Sequence, residues 1–85
     1  MVLVAINVSV ANNLKMDKEY LQKFAKHLRE LRKAKGLTQD DFDSDRISRS
    51  MVGHVELANS DITVSKVKAI ADVLGIPVKD LFDFE

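Results

Sequence analysis

The chain has 85 residues, 46% of them hydrophobic, with thirteen Lys and Arg balanced by thirteen Asp and Glu and no cysteine. That length suits one domain with a small core; a domain of about 60 residues buries only roughly 60% of its unfolded surface, so a partner subunit would add stability. Lack of cysteine excludes a disulfide staple and a thiolate metal site and fits a reducing cytoplasm, while zero net charge excludes a uniformly basic surface. The charge is unevenly spread. From Lys15 to Arg49 ten basic residues stand against seven acidic ones, and from Ser50 onward three against six. Any positive face comes from the front half.

Residues 1–15, MVLVAINVSVANNLK, differ from the rest. Ile6, Val8 and Val10 alternate with Asn7 and Ser9, a β-branched pattern that favours a strand, and Asn12-Asn13 reads as a turn. A secretory leader is not expected, since the first lysine comes at position 15. The apolar run is far short of the ~20 residues that cross a bilayer, so no membrane association is expected. One strand is not stable by itself. The extension either pairs, most simply with its own copy in a dimer, or stays disordered, and Met16 is an alternative start. The domain proper is expected over residues 16–85.

Asp17 caps a helix over about residues 18–35. Tyr20 or Leu21, Phe24, Leu28 and Leu31 recur at helical spacing, and Gly36 closes the helix. Lys18, Lys23, Lys26 and Lys33 form a solvated face, with Lys33 and Lys35 at the end nearest the next element. Thr38 then offers its hydroxyl as an N-cap, Asp40 and Asp41 suit the first turn, and Phe42 is the one large apolar residue. Ser48 opens a third helix on which Met51, Val52 and Val55 point inward. Arg49, Ser50, Gly53 and His54 lie mostly outward. Two short helices joined by a sharp corner, the second with a polar outer face, describe a helix-turn-helix and imply sequence-specific DNA binding.

A polar loop over residues 57–62 follows. Thr63 caps a fourth helix with the stripe Val64, Val67, Ile70, Ala71 and Leu74, ended by Gly75. Pro77 opens a short fifth helix as its first residue. Val78, Phe82 and Phe84 leave more apolar surface than one turn buries and are candidate dimer contacts, whereas Leu81 is expected to lid the core. No metal or cofactor is expected: His27 and His54 are too few and too far apart, and the run Asp40, Asp41, Asp43, Asp45 lacks the glycine and closing glutamate of a calcium loop. No catalytic constellation stands out, so enzyme activity is not expected.

From Leu28 onward, LRELRKAKGLTQDDF, ISRSMVGHVE and ITVSKVKAIADVLGIPVKDLF in that order resemble the lambda-repressor/Cro-like (XRE) family of helix-turn-helix regulators. The resemblance implies an all-α bundle of four to five helices that binds double-stranded operator DNA as a homodimer. It places Gln39, with Thr38, at the phosphate backbone, and Ser48, Arg49, Ser50 and His54 on the recognition helix, with Arg49 the best reader of a guanine. Arg32 and Glu56 match a structural salt bridge between the first and third helices. The link from Asp43 to Ile47 is about one residue shorter than the family pattern. Asp43 stands where the family mostly has an inward alanine, so it needs a partner such as Arg46 or a rotated helix. Ala58, Asn59, Ser60 and Asp61 follow Glu56 in place of glycine and basic residues. Asn59 and Ser60 remain phosphate contacts without charge, so affinity and salt dependence should be modest. Gly53 lowers helix propensity by about 1 kcal/mol. A rival expectation is a protein-interaction module, such as an antitoxin bound to a toxin.

Overall fold

The computed structural model describes residues 16–85; the expected strand over residues 1–15 lies outside the described residues. The described residues are all helical, but the five expected helices become three α-helices and two single 3-10 turns. These are α1 (Lys18–Ala34), a first 3-10 turn (Gln39–Phe42), α2 (Arg49–Glu56), α3 (Val64–Leu74) and a second 3-10 turn (Val78–Phe82).

The reason lies in length and caps. Four residues with one apolar side chain cannot meet the cost of nucleating an α-helix. The Asp41 carboxylate reaches back to accept the Thr38 N–H at 2.7 Å and a hydrogen bond from the Thr38 hydroxyl at 3.2 Å, which closes the turn at its start. Asp43 then leaves it in an extended conformation, φ −69° and ψ 123°. Pro77 lies just before the second 3-10 turn rather than as its first residue, with ψ 148°. Asp17 caps α1 by accepting the Tyr20 N–H at 3.0 Å. Ser48 caps α2 by accepting the Met51 N–H at 3.0 Å. Thr63 occupies the cap position of α3 without bonding its backbone; its hydroxyl turns toward Ser65 Oγ, 3.5 Å away.

One core joins all five elements. Phe24 and Leu28 of α1, Phe42, Val52 and Val55 of α2, Ile70 and Leu74 of α3 and Leu81 are all buried. Ile47 joins them from the corner between Phe42 and α2. Leu21, rather than the half-exposed Tyr20, takes the inward place at the start of α1. A smaller cluster of Leu21, Ala25 and Ala58 sits beside it, with Met16 against it. Ala58 adopts φ 57°, the left-handed conformation in which glycine is the unstrained residue. It ends α2 by donating its N–H to Val55 O while Asn59 donates to His54 O, a Schellman closure. Burial of its methyl group and a Lys18 Nζ bond to its carbonyl, 2.6 Å, offset the strain.

Asp43 is exposed and accepts the Arg49 N–H at 2.8 Å, so neither a rotated helix nor Arg46 is needed to satisfy it. Arg46 instead pairs with Asp72 of α3 at 2.8 Å, and Lys68 shares the same carboxylate at 2.5 Å. The Lys68 hydrogen bond first, and Arg46 second, hold the Asp72 carboxyl below its ordinary value of 3.8. A carboxyl whose folded pKa is lowered adds stability that is whole above the unfolded value and is lost as pH falls through the folded one. Asp72→Asn is therefore expected to be less stable than wild type in urea at neutral pH, with the gap narrowing as pH falls below the ordinary carboxyl value of 3.8. A gap of equal size at both pH values would contradict this account of the corner.

Candidate nucleic-acid interface

α2 is only eight residues long, so its orientation depends on what grips it from below. Its last residue, Glu56, is 2% exposed, and a carboxylate taken out of water needs full pairing. Arg32 Nε meets Glu56 Oε2 at 2.7 Å, and Arg32 Nη2 meets Oε1 at 3.0 Å. Gln39 Nε2 donates to the same Oε1 at 3.0 Å. Arg32 Nη1 goes on to Leu37 O at 2.9 Å, and Arg29 Nη1 donates to the Glu56 carbonyl. Glu56 raises the Arg32 pKa through its hydrogen bond, outweighing burial, which pulls it down. α1, the first 3-10 turn and α2 are thus locked at one carboxylate, and among the described residues no buried side-chain polar atom lacks a partner.

Over this network lies an open cleft of about 440 Å³, where Gln39, Arg49, Ser50, Gly53 and His54 meet Arg29 and Leu57. A shallow, open cleft edged by Arg, Gln, Ser and His side chains offers donors without enclosing a small molecule. Arg49, Ser50 and His54 are exposed on α2 at spacings that put them on one side of the helix. The Arg49 side chain is 57% exposed, with Nε 2.9 Å from Asp40 Oδ1. Gln39 has its amide nitrogen committed to Glu56 and its Oε1 toward Gly53. A methyl group at Gly53 would find that oxygen at 3.6 Å, an ordinary contact, so packing within the protein does not demand glycine there.

Of the other DNA-contact residues expected from the sequence, Thr38, Ser48 and Asn59 lie outside the cleft lining. Thr38 and Ser48 serve their helix starts, and Asn59 follows the far end of α2. All three are exposed. His27 sits away from this face, half-buried, with Nε2 donating to Asp80 O at 2.7 Å and its ring against Phe84. Three residues of this face were not picked out from the sequence: Arg29, Asp40 as the partner of Arg49, and Leu57, which is 69% exposed. Arg29 had a signal, since it lies three residues before Arg32 on the same side of α1. Among the described residues no group of His, Cys, Asp and Glu could hold a metal ion, and no helix is long and apolar enough to cross a membrane.

A buried anchor beneath a short, outward-facing polar helix, reached through a tight corner, defines a helix-turn-helix protein. The helix-turn-helix family model matches residues 28–81, and the chain belongs to this XRE, lambda-repressor/Cro-like family of DNA-binding transcriptional regulators. Among solved structures it is similar to the restriction-modification controller protein C.AhdI from Aeromonas hydrophila. The two share 38% identity with a TM-score of 0.68, over 73% of this chain and 96% of that one. No curated protein matches the chain.

Proposed function

We propose that the protein binds an operator as a homodimer, with α2 in the major groove and Arg49 reading a guanine through O6 and N7. The observation that carries this reading is the joint exposure of Arg49, Ser50 and His54 on a helix whose base is fixed by the buried Glu56 network. Ser50 and His54 extend the reading to neighbouring base edges. Thr38, Gln39, Ser48 and Asn59 flank them toward the sugar-phosphate backbone. The likeness to a restriction-modification controller protein supports a regulatory role of that kind. Residues 1–15 are proposed as an extension to the domain of residues 16–85, and a cytoplasmic site of action follows from the DNA target.

The dimer is proposed to form along an apolar groove between Tyr20, Phe24, Ile62, Val64 and Phe82. Tyr20 is 46% exposed, Val64 86% and Phe82 39%. Of the three C-terminal residues expected at the interface, Phe82 is the most open. Val78 packs half-buried against the core, and Phe84 stacks with Tyr20 at a centroid distance of 5.3 Å. Val64→Glu tests the groove, because a carboxylate in the first turn of α3 suits the helix dipole and leaves the fold intact. Sedimentation is expected to show a wild-type dimer and a variant monomer. A dimer unaffected by Val64→Glu would remove this groove from the interface.

The operator is tested by selecting bound duplexes from a random DNA pool and footprinting the winner. The expected site is a two-fold repeat with half-site centres about 34 Å apart, one helical turn. A pool that gives no enriched sequence would defeat the operator reading. The same apolar groove favours a second reading, a protein-interaction module such as an antitoxin. That reading gains if the selection fails and the groove instead binds a toxin encoded beside the gene.

A further inference from the structure

The first 3-10 turn and the corner after it carry four carboxylates, three of which, Asp40, Asp41 and Asp43, divide their work. Asp41 holds the Thr38 backbone, and Asp43 holds the Arg49 N–H at 2.8 Å. Asp40 is 77% exposed on its side chain, and its carboxylate is within 2.9 Å of Arg49 Nε. Among the described residues its carboxylate bonds no backbone group, so the fold does not depend on it. Arginine 49 is gripped at both ends, by Asp43 at its backbone and by Asp40 at its guanidinium.

A carboxylate on a surface that approaches a polyanion is a cost unless it does something there. Two consequences follow from the geometry. Contact through Nε restricts a long, flexible side chain and leaves Nη1 and Nη2, the edge able to meet guanine O6 and N7, without a hydrogen bond to the described residues. The same carboxylate competes with phosphate for the guanidinium and repels phosphate directly, which penalises DNA that offers no guanine at that place.

We propose that Asp40 is a positioning residue that sets how selectively Arg49 reads DNA. The proposal rests on the DNA-reading role given to Arg49 above and deepens it. Asp40 raises the ratio of operator to random-sequence affinity, chiefly by weakening the random-sequence term.

The test is fluorescence anisotropy on the selected duplex and a scrambled duplex at several salt concentrations. The proteins are wild type, Asp40→Asn, Asp40→Glu, Arg49→Ala and the double variant Asp40→Asn/Arg49→Ala. Asp40→Asn is expected to lower the affinity ratio by about 1.5- to fivefold, the range open to an exposed ion pair. Scrambled DNA should bind more tightly, with a salt slope steeper by about one as Arg49 gains a phosphate. Asp40→Glu should restore part of the ratio, and repeated selection with Asp40→Asn should relax the preference at one guanine. In the Arg49→Ala background the Asp40 change should move both duplexes equally and leave the ratio where it was. Thermal melts should be the same for wild type and Asp40→Asn. An unchanged ratio in Asp40→Asn, or an equal fall in ratio when Arg49 is absent, overturns the proposal. A wild type that does not distinguish the duplexes defeats the reading of Arg49 itself, a separate result visible before any variant is made.

Discussion

Glu56→Ala is expected to lower the unfolding free energy by about 3 kcal/mol, the usual cost of removing one partner of a buried pair. The loss is large because the remaining groups are stranded: Arg32 is 13% exposed and was held by both carboxylate oxygens, and Gln39 loses its acceptor. For a domain of this size that corresponds to a fall in Tm of about 15 °C. Urea unfolding followed by circular dichroism checks it. The companion Arg32→Met/Glu56→Leu removes both charges and fills the space with apolar groups, a change that in other proteins is often neutral. The double variant should therefore be more stable than Glu56→Ala alone. If it is less stable, the pair contributes net stability and the cost does not come from a stranded guanidinium.

Phe42→Ala should be comparably severe, at about 3–5 kcal/mol. Phe42 is fully buried and is the buried residue of the four-residue 3-10 turn, which packs against α2 and α3. Its ring is what fixes that turn to the core, since so short a turn has little stability of its own. Total stability of a small domain is itself only about 5–15 kcal/mol, so much of the variant should be unfolded at physiological temperature. Phe42→Leu keeps most of the volume and should cost about 1 kcal/mol. DNA affinity of Phe42→Ala is expected to follow its folded fraction, measured by comparing binding and circular dichroism over the same temperatures. Full affinity from a fully folded Phe42→Ala would show that the turn holds its place without the ring.

How much of this was legible in the sequence differs by element. α1 was written plainly, because Leu21, Phe24, Leu28 and Leu31 repeat over several turns between Asp17 and Gly36. α2 was bounded by the Ser48 cap and by the inward set Val52 and Val55. The step from α-helix to 3-10 in Gln39–Phe42 was not legible, since four residues with one apolar side chain show no period. Asp43 was placed inward by resemblance to a family alanine, but a carboxylate one step before the corner finds the Arg49 N–H instead. The Arg32–Glu56 pair lies 24 residues apart in sequence; the family pattern supplied it and no local rule would have. Asp40 and Arg49 meet across a corner whose path is set by burial of Ile47, so no local pattern announces their pairing. The apolar groove is assembled from α1, the loop before α3, the start of α3 and the second 3-10 turn, and no single stretch announces it.

The central claim is that the outward face of α2 reads bases through Arg49. It is tested most directly by anisotropy of wild type and Arg49→Ala on the selected duplex and its scrambled counterpart, at two salt concentrations. The account predicts that Arg49→Ala, with an unchanged melting temperature, loses about 1–3 kcal/mol of affinity for the selected duplex. Affinity for scrambled DNA should change far less. Equal losses on both duplexes would reduce Arg49 to a phosphate contact, and no loss on either would remove Arg49 from the interface and contradict the claim.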